Sequence, residues 1–477
     1  MRLARGVVGL VVTAALGWGC TDEQQVAAPK GFAAALTASQ SDFTYPKDPL
    51  RVEADPGVVQ PQAVPYCTTR GIPIVCYSPN FIRTAYNFPS TIDGTGQTIL
   101  IVDAFGSPTI QHDLTVFDQT FGIPAPPSFT IVCDPPGCPT FNPQNASHDQ
   151  VGWSIETSLD VEWAHAMAPG ANIVLVVAST SSGSAINTAE AKVIPQYPGS
   201  IMSQSFGIPE IVVHNNNAQI MQAHSNYQAA QAAGITVLAS AGDGGATNGF
   251  STANALFPSS DPLVTAVGGS QGDPYSFPAS PASCSGGPCT TGLVAFTGTC
   301  GPGPRPGVPT GCTPTGYGAE QVWNEPVFRA ATGGAPSVLF SLPSYQSGLG
   351  LTTRTTPDVS YDAAINGGVL VYYTALGTPI WFIVGGTSAG SPQWASIVAL
   401  ANQLKGAPLG FLNPTLYQVG CSGNYRQDFH DITVGNNQLV GTPVGFSAST
   451  GWDAASGWGT PNVANLITDL VTPPACE

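Results

Sequence analysis

Charge is scarce in this sequence. Only 9% of its 477 residues are Asp, Glu, Lys or Arg, and cations are the rarer kind: 13 Lys and Arg stand against 29 Asp and Glu, a formal net charge of −16. A chain so poor in positive charge repels phosphate backbones and anionic lipid, which excludes nucleic acid as a partner. A low charged fraction also suits a fold that works in acid, since few paired carboxylates are then lost on protonation. Histidine is rarer still, with His112, His148, His165, His214, His224 and His430. None lies in a His-Gly-Thr-His type setting, and only His165, between Ala164 and Ala166, falls on a helix expected to be buried. Past the first 20 residues no apolar run is long enough for a membrane span. No internal repeat is evident.

The start, MRLARGVVGLVVTAALGWGC, has Arg2 and Arg5, an apolar run from Gly6 to Leu16 and small residues before Cys20, the pattern of a secretory signal. Leu16-Gly-Trp-Gly-Cys20 also resembles an imperfect lipobox, with Leu one position early, which leaves a lipid anchor at Cys20 open. Setting Cys20 aside, the other ten of eleven cysteines fall into close pairs, Cys67/Cys76, Cys133/Cys138, Cys284/Cys289 and Cys300/Cys312, with Cys421 and Cys476 remaining. Five disulfides in an exported chain is the simplest reading. A zinc site competes poorly, because the spacings are irregular and only His430 is near in sequence.

Residues 21–75 are rich in Ala, Pro, Gln and Ser without periodicity and read as a loose arm or short pro-segment. From Tyr77 β-rich runs alternate with helical ones: Gln97–Ala104 then a helix over Thr109–Phe121; Asn172–Ala178 then Gly183–Ile194; Ser200–Ser205 then Ala218–Ala233; Ile235–Ser240 and Leu263–Val267. Nearly all-apolar strands alternating with helices predict an α/β fold, a parallel sheet covered by helices on both faces. Residues 270–318, with Gly, Pro, Ser, Thr and four cysteines, read as a disulfide-stapled surface insertion in a domain running over 76–477.

Four residues could carry chemistry. Ser388, in Val384-Gly-Gly-Thr-Ser-Ala-Gly-Ser-Pro392, sits between a glycine turn and a helical run, where a serine is either an N-cap or a nucleophile. Glu156 and Asp160 are spaced i and i+4, so a helix stacks them on one face. Two such carboxylates can share a proton and take one from a serine in acid; the competing reading is a capping or solvated face, and the nearby Glu162 shows that carboxylates occur here without special placement. Asp243, in Leu238-Ala-Ser-Ala-Gly-Asp-Gly-Gly245, follows a strand, at the sheet edge where open α/β sheets place their sites. Protonated, it could donate to a developing oxyanion; otherwise it is a turn aspartate.

In order, YSPNFIRTAYNFP, GQTILIVDAFGSPTIQHDLTVFDQTFGIP, ETSLDVEWAHAMAPGANI, ASAGDGGA, FPSSDPLVTAVGG, RTTPDVSYDA and GGTSAGSP resemble the sedolisin family, the serine-carboxyl peptidases with a subtilisin-like fold. The resemblance runs from about Tyr77 to Pro461. It implies Ser388 as nucleophile, Glu156 as general base, Asp160 orienting and acidifying it, and Asp243 as oxyanion donor. It also implies a C-terminal calcium loop, one structural Ca²⁺ held by the carboxylates of Asp431 and Asp453 and the carbonyls of Ile432, Ser449 and Gly451, all oxygen donors as a hard cation requires. Two departures stand out. About 55 residues separate Cys20 from the catalytic region, where many relatives carry a large folded propeptide, and Gly244-Gly245 replaces a frequent Ser-Gly.

The resulting expectation is an exported, acid-acting endopeptidase, monomeric, with protein or peptide substrates. Rivals are a tripeptidyl-peptidase of the same family, a subtilisin-type Ser-His-Asp enzyme using Asp103, His165 and Ser388, and a pseudopeptidase acting as a surface binding module.

Overall fold

The computed structural model describes residues 42–47, 49–55, 66–70, 72–144, 149–213, 218–272, 289–290, 292–297, 301–302, 309–310 and 313–477. Thirteen strands and seven helices position the site. The strands are β1 (Arg51–Glu53), β2 (Tyr66–Thr69), β3 (Ile72–Tyr77), β4 (Thr98–Ala104), β5 (Phe129–Asp134), β6 (Asn172–Ala178), β7 (Ile201–Gln204), β8 (Thr236–Ser240), β9 (Thr265–Gly272), β10 (Glu320–Val322), β11 (Val359–Asp362), β12 (Gly368–Tyr373) and β13 (Ile380–Val384). The helices are α1 (Pro79–Ala85), α2 (Ile110–Phe121), α3 (Asp149–Met167), α4 (Gly183–Val193), α5 (Ala218–Ala232), α6 (Gly390–Lys405) and α7 (Val463–Val471).

An eight-stranded sheet runs β10-β9-β8-β7-β4-β6-β5, with β11 also pairing β9. Every pairing in it is parallel except β9 with β10. The uniform apolarity of its central strands follows from having two cores to fill. Ile99 and Ile101 of β4 and Ile173, Leu175 and Val177 of β6 join the cluster that holds Leu159 and Trp163 of α3 and Trp394 of α6. Their neighbours Leu100, Val102, Val174 and Val176 point the other way, to Ile186 and Val193 of α4 and Ile220 and Tyr227 of α5. Each aliphatic side chain buried in this way contributes about 1.5–3 kcal/mol. The fold is the subtilisin-like parallel sheet with helices on both faces that the sequence predicts.

Two sequence boundaries differ from expectation. The strand expected to end at Val267 continues to Gly272. Gly268 and Gly269, just past the expected end, are strand residues under close approach: a Cβ on Gly268 would lie 2.7 Å from Pro357, and one on Gly269 2.8 Å from Ala363 and Trp323. The arm at 21–75 is not loose throughout. β1 pairs antiparallel with β13, and β2 and β3 form a hairpin stapled by Cys67–Cys76. These join β12 in a second sheet, β1-β13-β12-β3-β2. Cys133–Cys138 and Cys421–Cys476 are also bonded. Cys284, Cys300 and Cys312, the Met1–Cys20 signal and most of the 270–318 insertion lie outside the described residues.

Candidate active site

Ser388 is presented by a turn that only glycine can make. β13 delivers the chain to Gly386, whose φ of 100° is left-handed and whose missing Cβ would lie 2.7 Å from Asp243 Oδ2. Ser388 follows in a single 3-10 turn that continues into α6, its side chain not capping the helix. The cap reading of this serine therefore fails: its Oγ accepts a hydrogen bond from Lys47 Nζ at 2.7 Å and lies 3.4 Å from the Ser205 carbonyl.

Helix α3 brings both carboxylates to the same place, and both are fully buried. Glu156 Oε1 lies 2.7 Å from Lys47 Nζ. Burial pushes the Glu156 carboxyl up, and the Lys47 ammonium and a hydrogen bond with Ser388 oppose that push. Asp160 Oδ1 accepts from Ser205 Oγ at 2.9 Å, and that same hydroxyl lies 3.3 Å from the Ser388 carbonyl. Asp160 is held protonated well above the usual range, by burial first and then by the charges of Glu156 and Asp103. Asp243 accepts at Oδ1 from the Thr387 N–H at 2.8 Å and its hydroxyl at 2.9 Å. Burial raises it too, against Lys47 and the two Thr387 bonds.

Two further groups complete the cluster. Asp103, at the carboxyl end of β4, is buried beside Glu156 and pushed up to about 8, by burial first and then Glu156, with the Thr157 hydroxyl and Lys47 opposing. The sequence placed Asp103 in a rival scheme with His165, but His165 turns elsewhere: its Nε2 lies 2.9 Å from the Pro124 carbonyl and 3.4 Å from Asp118. Lys47 is the residue that sequence reasoning missed altogether. A single lysine in a proline-containing arm without periodicity carries no signal, and its role depends on contacts 109 and 341 residues away. His224 pairs with Asp261, His430 stacks on Tyr317 at 3.6 Å, and His148 and His214 lie outside the described residues.

The carboxy-terminal loops hold the other five candidates. Asp431 Oδ1 accepts from the Gly451 N–H at 3.1 Å and the Tyr425 hydroxyl at 2.9 Å, which ties the two loops together. Asp453 is buried and takes N–H donors from Ser449, Ala455 and Ser456. Among the described residues, the carbonyls of Ile432, Ser449 and Gly451 accept no backbone hydrogen bond. Two carboxylates and three uncommitted carbonyls on joined loops fit a hard divalent cation.

A model of the subtilase family matches residues 154–416. Kumamolisin of Bacillus sp. (strain MN-32) is 32% identical over 83% of this chain and 64% of its own, and sedolisin of Pseudomonas sp. (strain 101) 26% identical over 82% and 60%. The chain belongs to the subtilase family, in its sedolisin branch. Human tripeptidyl-peptidase 1 is 30% identical over 67% of the chain and 52% of its own length. The sedolisin-family chain thus spans 52–64% of the length of these relatives. Among solved structures, Pseudomonas sedolisin, a serine-carboxyl proteinase complexed with two molecules of pseudo-iodotyrostatin, superposes with a TM-score of 0.66 at 24% identity, covering 84% of this chain and 99% of that one.

Proposed function

We propose that this chain is an exported, acid-acting serine-carboxyl endopeptidase. The observation that carries the reading is the convergence of Ser388, the helix pair Glu156 and Asp160, and Asp243 on one edge of the sheet, from three segments far apart in sequence and joined through Ser205, Thr387 and Lys47. The names of the relatives support the reaction class.

In this scheme Glu156 takes the Ser388 Oγ proton as Oγ bonds to the peptide carbonyl carbon. The carbonyl π pair moves to oxygen, where the protonated Asp243 donates a hydrogen bond. Glu156 then returns its proton to the leaving nitrogen as the C–N bond breaks, leaving an acyl ester. Water attacks that ester with Glu156 again as base, and the proton goes back to Ser388 Oγ as the ester bond breaks. Asp160 orients Glu156 and shares protons with it. A Ca²⁺ held by Asp431, Ile432, Ser449, Gly451 and Asp453 would supply rigidity, tying the two loops together. Export rests on the Met1–Cys20 pattern and on the bonded cysteines, and no helix among the described residues is long and apolar enough to cross a membrane.

The test is digestion of a peptide library across pH 3–8 by wild type, Ser388→Ala and Glu156→Gln. Loss of cleavage in both variants with folding intact is expected. Full activity in Glu156→Gln sinks the glutamate base, and a profile flat to pH 9 sinks the need for a protonated Asp243.

A further inference from the structure

The site already has an occupant, and it comes from the chain itself. Residues 42–47 and 49–54 run across the catalytic edge and are pinned on either side of it. Upstream, Phe43 and Tyr45 are buried, with Tyr45 packed on Phe206 at 4.6 Å between ring centroids, and the Tyr45 N–H donates to the Ser181 carbonyl at 2.8 Å. Downstream, the Gly385 N–H donates to the Leu50 carbonyl at 2.9 Å, β1 pairs with β13, and the Ala54 N–H donates to the Trp381 carbonyl at 2.8 Å. Between these anchors Lys47 enters the site. Its Nζ lies 2.7 Å from both Ser388 Oγ and Glu156 Oε1 and donates to the Ser205 carbonyl.

We propose that Lys47 is an acid-released latch that competes with the peptide substrate for Ser388 and Glu156. This rests on the peptidase reading, because it takes those two residues as the machinery. The ammonium fills the space through which a carbonyl carbon must approach Oγ, engages an Oγ lone pair, and ties the Glu156 charge in an ion pair. All three effects oppose attack.

The carboxylates facing Lys47 are Glu156 and Asp160 from α3, Asp103 from β4 and Asp243 from the turn after β8. Burial raises all four, so they take up protons at higher pH than exposed carboxylates would. The latched form, with a cation among them, binds fewer protons than the released form. Rising pH therefore favours latching, and falling pH releases it. As the carboxylates neutralise, the ammonium is left buried with little countercharge, a costly arrangement that it escapes by leaving. Release loosens the Leu50 and Ala54 contacts with β13 as Lys47 leaves, while buried Phe43 and Tyr45 hold the segment upstream, so the segment returns when the pH is raised.

The experiment has two arms, both on the full chain. Amide exchange is followed in Ser388→Ala, which cannot cleave itself, and in Ser388→Ala/Lys47→Met. After correction for intrinsic exchange, the Ala54 and Gly385 amides should be protected at pH 7 and faster by roughly tenfold at pH 4, and fast at both values in the double variant. Separately, Lys47→Met with intact Ser388 should bind a peptide aldehyde roughly tenfold more tightly than wild type at pH 7, and equally at pH 4. Exchange and binding that ignore both pH and Lys47 overturn the latch. Weaker aldehyde binding in Lys47→Met at every pH also overturns it, since the lysine then assists binding. Normal exchange behaviour with no peptide cleavage by any variant sinks the peptidase reading and leaves the latch standing.

Discussion

The hydroxyl of Ser205 joins Asp160 to the backbone of Ser388, 2.9 Å from Asp160 Oδ1 and 3.3 Å from the Ser388 carbonyl. Ser205 sits just past β7, so the sheet itself sets the distance between the carboxylate helix and the serine turn. Ser205→Ala leaves Asp160 without that donor, at a cost of about 1–2 kcal/mol. The expected result is a loss of roughly tenfold in kcat/KM with an altered pH profile. Ser205→Thr should restore both; a folding defect alone would not move the profile.

In the proposed scheme the oxyanion role of Asp243 and the acid dependence can be separated by substitution. Its carboxyl is raised above the usual aspartate value, so it stays protonated into milder acid and loses its proton as pH rises. Activity should fall along that alkaline limb. Asp243→Ala should cost roughly a hundred- to a thousand-fold in kcat. Asp243→Asn, a donor at every pH, should keep part of the rate and flatten the limb in a kcat/KM profile.

Gly386→Ala tests the turn. Its φ of 100° strains any side chain, and its Cβ would lie 2.7 Å from Asp243 Oδ2. Destabilisation of about 1–3 kcal/mol and loss of peptide cleavage are expected, read by thermal melting and by assay. Wild-type melting and activity would contradict the geometry.

Stability should be greatest in acid. Glu190 is fully buried, and burial pushes it up to about 8, with only Asn226 opposing. A carboxyl whose folded value lies above its unfolded value of about 4.3 is fully stabilising below the latter, and that stability is lost as pH rises towards the former. Glu190→Gln should therefore raise Tm at pH 8 and leave it unchanged at pH 3.5. An equal shift at both values would assign the effect to packing.

Calcium removal should destabilise by mass action, about 2.7 kcal/mol at a free concentration 100 times Kd. A chelator should lower the wild-type Tm and leave Asp431→Ala, already depressed, unmoved. A chelator without effect on wild type would remove the metal from the scheme.

The sheet was legible because β4, β6 and β8 are apolar on both faces, and Asn172–Ala178 matches to the residue. The i, i+4 spacing gave Glu156 and Asp160 a common face, and the glycine turns located Ser388 and Asp243. The strand expected to end at Val267 runs on through Gly268-Gly269, because the apolar pattern stops there and the close approach of Pro357 and Trp323 that calls for glycine is set by the tertiary fold. Asp103 was visible only in the rival scheme with His165, since which buried group it meets depends on helix placement. Lys47 could not be read, because its neighbours are set by the tertiary fold and a lone charge has no period.

The double anchoring of the amino-terminal segment has a quantitative consequence. A lysine tethered on both sides meets Ser388 at an effective concentration on the order of millimolar or above, whatever the amount of protein in solution. Every peptide must outbid that same standing competitor. It therefore raises the apparent KM of all substrates by one common factor: it sets a threshold for cleavage without contributing to the choice among sequences.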